Sequence, residues 1–403
     1  MTRAARGARS GRGALRVLYL QYTNPAAYPP LLHSAELIAR AGGAVRLVGM
    51  GRDDDPLGAP PPAGVDVRLF RPPPVPRLTA VHYAAFALWA LWQAARFRPR
   101  WIYASDPLSC PAARSLRWAS RAQLVYHEHD SPADATGRRG VFRRVVERAR
   151  RSVSRVADVC VLPNARRTAA FAAATGCRDV LTAWNTPLVR EVAADAPCRP
   201  GLRVVYHGSI VPARLPLAVI DALAKLPDDV TLTAIGYETA GHPDHVERLR
   251  ARARELGVAH RFERLGPMPR AELMRSGPSF DAGLALLPPD TADANERSMV
   301  GASNKPFDYL ACGLPVVVPD VDEWRETFVT PGLAIACEPA SAADIARALG
   351  WLRDHPLDRR DMGRRGQAMI RETWNYERAF APVLERIVAG AQPAGVLTEP
   401  GRA

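Results

Sequence analysis

The stretch SNKPFDYLACGLPVVVPD, residues 303–320, carries the densest local signals in the chain. It reads as a short helix that closes into a buried strand. Ser303 or Asn304 can cap the first amides, and Pro306 suits a first turn whose N–H groups lack intrahelical partners. Phe307, Leu310 and Ala311 share one face, and Gly313 fits the left-handed position just past the helix end. The PVVV that follows is apolar on both faces, as a parallel strand between helix layers must be. Lys305 is the anomaly. A cation in a first turn opposes the helix dipole by about 0.3–1 kcal/mol, and a bound anion would reverse that sign.

The same alternation runs outward in both directions. LRVLYL (15–20), AVRLVG (44–49), VDVRLF (65–70), RWIYA (100–104), AQLVYH (122–127), DVCVLP (158–163) and DVLTAW (179–184) read as strands, with helix-length stretches between most of them. NTPLVREVAADAPCRPG (185–201) has no sustained period and reads as a linker. Beyond it LRVVYHG, VTLTAIG, HRFERLG, FDAGLALL, PVVVP and LAIAC repeat the pattern. Strands alternating with helices predict an α/β fold of two doubly wound, Rossmann-like domains with ligands in the crevice between them. A length of 403 residues agrees with two cores rather than one.

The net charge of +13 points to acidic partners, and four arginines in the first thirteen residues read as a basic tail rather than a secretory leader. Six cysteines without a CxxC pair speak against a disulfide framework or zinc site and for a reducing cytoplasm. YAAFALWALW (83–92) is too short to span a bilayer and reads as a buried helix or as one lying on a membrane surface, with Arg96, Arg98 and Arg100 after its tryptophans. GRRGVFRRVVERARRSVSRVAD (137–158) reads as an amphipathic helix with Val141, Val145 and Val146 inward. Its basic side is either a solvated face or a dock for an anionic membrane, at about 1 kcal/mol per basic residue. RDDDP (52–56) reads as a polar turn.

Two features of the second half suggest one diphosphate between them. YHGS (206–209) ends a strand in a glycine turn that can bring backbone N–H groups to a phosphate, and Arg214 follows at the next helix start. Lys305 is the second cation. An arginine can hold the anion in bidentate fashion, whereas a lysine acts as a point charge. Asp308, one turn after Lys305, either pairs with it as an i, i+3 ion pair or accepts hydrogen bonds from two ribose hydroxyls.

At this point the residues resemble a known family. SNKPFDYLACGLPVVVPD looks like the nucleotide-sugar signature of retaining glycosyltransferase family 4, which has the GT-B fold of two Rossmann-like domains facing across a cleft. YHGS with Arg214, VYHEHD (125–130), YASDPLSCPAA (103–113), VADVCVLPNARRTAAF (156–171) and WNTP (184–187) are similar to other segments of that family. The resemblance implies a basic tail at 1–14, an acceptor-side domain at 15–190, a nucleotide-sugar domain at 191–375, a helix at 376–390 crossing back to the first domain, and a tail at 391–403. It implies that Asp308 holds the ribose, that Arg214 and Lys305 hold the diphosphate, and that Gly208, Ser209, Ser303 and Asn304 contact the donor. Gly266, in RLGPM (264–268), would touch the base, and His129 with Asp130 would stand at the sugar. Arg214, Lys305, His129 and Asp130 are the expected catalytic set, with no metal and no cofactor beyond the donor itself.

The implied reaction moves a sugar from a nucleoside-diphosphate sugar to a hydroxyl acceptor, a lipid-linked one included, in polysaccharide or glycoconjugate synthesis at the cytoplasmic face of a membrane. Nucleic acid is not an expected partner, because no aromatic–basic platform appears. There are departures from the family pattern. Val300 stands where the signature has its first glutamate, His127 where many relatives have an acid, and QYTNPAAYPP (21–30) lacks a double glycine. They leave two further readings, a sugar-nucleotide binder without catalysis and a sugar-nucleotide epimerase.

Overall fold

The computed structural model describes residues 15–25, 28–51, 61–71, 79–132, 140–194, 199–239, 241–288, 291 and 293–390. The RDDDP turn and both tails lie outside these residues.

The N-terminal half alternates as expected. Its strands are β1 (Arg16–Gln21), β2 (Ala44–Met50), β3 (Val65–Phe70), β4 (Trp101–Ser105), β5 (Gln123–His127), β6 (Val159–Leu162) and β7 (Val180–Thr182). Its helices are α1 (Pro29–Arg40), α2 (Thr79–Phe97), α3 (Cys110–Ser120), α4 (Val141–Val156) and α5 (Ala165–Thr175). The C-terminal half runs β8 (Leu202–Ser209), α6 (Ala218–Leu223), β9 (Val230–Tyr237), α7 (His245–Glu255), β10 (Phe262–Leu265), α8 (Arg270–Ser276) and β11 (Ala282–Leu284). It continues with α9 (Ala294–Arg297), α10 (Lys305–Ala311), β12 (Val316–Pro319), α11 (Asp322–Trp324), β13 (Ala334–Cys337), α12 (Ala342–Asp354), α13 (Pro356–Glu372) and α14 (Tyr376–Ala389).

Both sheets are parallel. Their orders are β3-β2-β1-β4-β5-β6-β7 and β10-β9-β8-β11-β12-β13. Each order reverses once, at β1/β4 and at β8/β11, and such reversals open a crevice beyond the strand ends. The strand interiors are sealed: Val17 to Leu20 and Val316 to Val318 are all 0% exposed. Burial on both faces explains why these runs are continuous rather than alternating. Helix α14 carries Tyr376, Phe380, Val383 and Ile387 into the core of the first sheet, so the chain crosses between the domains twice. The crossings are tied where the Tyr376 amide donates to Pro187 at 2.9 Å.

Three local expectations are corrected. On α4 the inward stripe is Phe142, Val146, Ala149 and Val153, at helical spacing, with Val146 and Val153 buried and the other two half-buried, while Val141 and Val145 point outward at 78% and 47% exposure. A helix with so few apolar residues is oriented by its longest stripe, and that stripe leaves two valines among Arg144, Arg148 and Arg155 on the outer face. Helix α2 is buried on one side only, with Phe86, Ala90 and Ala94 inward and Leu88 and Trp92 outward. Among the described residues no helix is long and apolar enough to cross a membrane. Neither Ser303 nor Asn304 caps α10 with its side chain, since Asn304 is itself helical there.

Helix α10 lies unusually close to the second sheet. A Cβ on Gly283 would sit 2.2 Å from the Tyr309 ring, so only glycine lets that ring lie on β11. The Tyr309 hydroxyl then accepts the His207 amide at 3.0 Å, which ties the helix to the end of β8.

Candidate active site

The C-terminal wall is built at the end of β8. Gly208 has φ of 114°, and a Cβ there would meet Lys305 Nζ at 3.1 Å. Lys305 therefore lies against bare backbone, with its Nζ 5.6 Å from the centre of the Tyr206 ring. Arg214 reaches back to donate to Ser209 Oγ at 2.9 Å. Lys305, Arg214 and Ser303 line one small pocket. Among the described residues no carboxylate pairs with Lys305 or Arg214, and Arg214 Nε is buried without a hydrogen bond. Burial, and then Arg214, push the Lys305 ammonium down to about 7, against the pull of Asp308. The chain has two lysines against 52 arginines, and one of the two is this half-buried group. Gly266 is exposed at the end of β10.

Asp308 is not open. Its oxygens accept from the Arg270 fork at 2.8 and 3.0 Å, and its side chain is 2% exposed. The same guanidinium holds Glu191 at 2.7 and 3.1 Å, and Glu191 lies 3.1 Å from His33 of α1. Burial works against the charge on Arg270, but the Asp308 and Glu191 carboxylates outweigh it. Burial likewise raises the Glu191 carboxyl, yet Arg270 and His33 hold it far below the usual range. The expected free ribose acceptor is thus part of a buried ion chain joining helix, linker and N-terminal domain. A ribose at this depth must take an oxygen from Arg270. Nor does Asp308 pair with Lys305, the other expected partner.

The N-terminal wall is built at the ends of β4 and β5. Asp106 adopts φ of 64°, a strained value for a residue with a Cβ. Its carboxylate accepts the amides of His129 at 2.8 Å and Asp130 at 3.2 Å, and the Gln21 side chain at 3.3 Å. Burial and then Asp130 raise Asp106 to about 7, against those amides. The His127 and His129 rings stack at 3.8 Å. Burial lowers His129 to about 3, with the Asn185 amide pulling the other way, so it is a neutral imidazole. Its ring faces the Asn185 side-chain oxygen, which is itself buried without another hydrogen bond. His127, in place of an acid, bonds Tyr103 at 2.5 Å. Asp130 is 71% exposed and 3.7 Å from Arg167, a rim group rather than a second group lodged beside the His129 ring.

The walls are clamped by residues that sequence reasoning passed over. Asn164 donates to the carbonyls of Ser298 and Val300, both at 2.8 Å. Arg167 donates to Ser298 at 3.0 Å, to Asn295 at 2.8 Å, and to His129. Asn185 binds Gly301 and Ala302 at 2.7 and 2.9 Å. Val300 is 3% exposed and packs in the C-terminal core. Asn164 and Asn185 lie in segments already singled out, VLPNARR and WNTP, but nothing local marks their partners 117 to 136 residues away.

Comparison with known proteins agrees with this arrangement. Residues 30–184 match a family model described as a glycosyl transferase 4-like domain, and residues 214–385 one described as glycosyl transferase-like. No curated protein matches the chain in sequence. Sucrose-phosphate synthase from Thermosynechococcus elongatus superposes with a TM-score of 0.71 at 16% identity, over 94% of this chain and 100% of that one. Anabaena HepE in complex with UDP-glucose gives 0.68 at 17%, over 93% and 100%. WaaG, a glycosyltransferase involved in lipopolysaccharide biosynthesis, gives 0.65 at 14%, over 92% and 99%. At these identities the likeness is one of fold.

Arg270→Ala leaves Asp308 and Glu191 buried without their cation, so a loss of about 3–5 kcal/mol in denaturant unfolding is expected. A loss below about 1 kcal/mol would show that the ion chain does not hold the seam.

Proposed function

Because the chain belongs to the GT-B glycosyltransferases, we propose that it moves a sugar from a nucleoside-diphosphate donor to a hydroxyl acceptor with retention of anomeric configuration, in the manner of family 4. The observation that carries this reading is the pair of cations, Lys305 and Arg214, gathered at Gly208 and Ser209 without a carboxylate partner. A half-buried ammonium beside a second cation is costly to keep charged and is matched by a ligand that brings an anion.

Cleaving the sugar–phosphate bond leaves negative charge on the departing diphosphate. Fixed donors aimed at developing charge typically supply about 10²–10³ each in rate. Arg214 and Lys305 take that role in place of a metal, with backbone from Gly208 and Ser209, Ser303 lining the pocket and Asn304 beside it. The acceptor hydroxyl attacks the face that the leaving group vacates. Its proton passes to the leaving phosphate oxygen, which accounts for a site without a pair of catalytic carboxylates. His129, neutral and beside the Asn185 side chain, hydrogen-bonds a sugar hydroxyl rather than shuttling a proton. Turnover read as diphosphate release is expected to fall at least 100-fold in Arg214→Ala and in Lys305→Ala, and to survive EDTA. Unchanged turnover in both variants would remove the cradle from the mechanism.

A role in glycoconjugate synthesis at a membrane is supported by the outer face of α4, where Val141 and Val145 stand among Arg144, Arg148 and Arg155. Sedimentation with phosphatidylglycerol vesicles at low salt is the check. Retention that drops in Arg144→Glu/Arg148→Glu is expected, and pelleting equal to that with phosphatidylcholine alone contradicts it.

A further inference from the structure

A second, larger cavity opens on the other side of the segment that walls the cradle. Its volume is about 490 Å³, within the range of roughly 300–1,000 Å³ usual for small-molecule sites. Six arginines line it: Arg143, Arg150 and Arg151 from α4, Arg166 and Arg167 from α5, and Arg297 from the C-terminal domain. The one lining carboxylate is Glu147.

Most of these charges are committed. Arg143 pairs with Glu147 at 3.2 Å, and Arg150 donates its Nη2 to buried Glu128 at 2.7 Å. Arg166 reaches Glu323 of the other domain at 3.2 Å, and Arg167 is spent on carbonyls of the seam. Arg151 and Arg297 are different. Among the described residues neither has a carboxylate within 4.0 Å or a hydrogen-bonded side-chain partner. They come from opposite domains and line the same cavity, whose apolar side is Phe171 and Ala174.

The position bears on catalysis. Arg297 and Ser298 line this cavity, whereas Met299 and Ser303 line the cradle pocket. One short stretch of chain separates the two, and Arg167 touches both sides of it, at the Ser298 carbonyl and at Met299 Sδ.

We propose that this cavity is an anion subsite for the acceptor, in which Arg151 and Arg297 clamp a phosphate or diphosphate that the acceptor carries. The proposal rests on the glycosyltransferase reading and adds to it the chemical class of the second substrate. Two guanidinium forks offer planar, bidentate donors that match phosphate oxygens. The volume leaves room beside the phosphate for the group that bears the attacking hydroxyl. Since each fork belongs to a different domain, the bound acceptor would also brace the seam.

Calorimetry with inorganic pyrophosphate tests both sites at once. The wild-type chain is expected to bind two pyrophosphates. Arg151→Ala/Arg297→Ala loses one and Arg214→Ala/Lys305→Ala loses the other, each with at least a tenfold rise in Kd at the altered site. Both Arg151 and Arg297 are exposed, so their replacement leaves the core intact; unfolding curves that overlay the wild type confirm it. Two sites retained in Arg151→Ala/Arg297→Ala, or a single site lost only with Arg214 and Lys305, overturns the proposal. Two sites retained in Arg214→Ala/Lys305→Ala, with one lost in the other variant, overturns the donor assignment instead and leaves this one standing. Phosphatidylcholine vesicles carrying farnesyl diphosphate separate the sources. Retention at least tenfold above plain vesicles that needs Arg151 and Arg297 assigns a lipid-borne phosphate, and retention no greater than plain vesicles assigns a soluble phosphorylated acceptor.

Discussion

The docking of α10 against the end of β8 is the constraint on which the rest of the molecule depends. Gly283 lets Tyr309 lie flat on the sheet, and the Tyr309 hydroxyl takes the His207 amide. Lys305, at the start of the same helix, lies across Gly208. A lysine so placed is partly desolvated and stands beside a second cation, Arg214, so its charged form is disfavoured before any ligand arrives. The fold holds an electrostatic strain that an anion relieves. A chain that otherwise uses arginine for nearly every positive charge keeps a lysine here. Lysine is the cation that can shed its proton when buried, while a guanidinium stays charged.

The two walls work only if they face each other, and the seam shows how this is arranged. The ion chain His33–Glu191–Arg270–Asp308 joins the first helix, the linker and α10. Asn164, Arg167 and Asn185 grip the backbone of 298–302 from the other side. These bonds go mostly to main-chain carbonyls, which hold a loop in place without specifying its side chains. That explains how Val300 can stand where the family signature has a glutamate: the loop is positioned by its carbonyls, and its side chain serves the core. Arg167 is the common member, since it bonds the His129 carbonyl and the opposite domain together.

Both sheets were legible in the sequence because parallel strands buried on two faces leave continuous apolar runs that little else produces. Strand β11 was read as eight residues and has three, since the apolar run continues past the ladder into the loop that lines the cradle. Lys305 stood out in the sequence because it opposes its helix dipole, Arg214 because it follows a glycine turn, and His129 only through the family resemblance. Asp308 was legible as a site residue but not in its partner. Arg270 lies 38 residues away and Glu191 further still, and no periodicity links a turn, a linker and a helix. Val141 and Val145 of α4 lie outward, not inward as expected, for a related reason: with three apolar residues on one stripe and four on the other, only the neighbouring helices decide which is buried.

Lys305 waits, only partly charged at neutral pH, for the charge of a diphosphate. Its side-chain NMR signal as a function of pH tests this most directly, because the only other lysine, Lys225, is exposed and serves as an internal reference. In the free protein Lys305 should titrate near 7, well below the ordinary 10.5. Between those two values the unfolded chain binds more protons than the folded one, so stability should rise with pH across that window. Saturation with UDP, GDP or ADP, whichever binds, should return the titration toward the ordinary value, with proton uptake at pH 8. A Lys305 signal that titrates with Lys225 in the free protein, or one that no nucleoside diphosphate moves, would contradict the account.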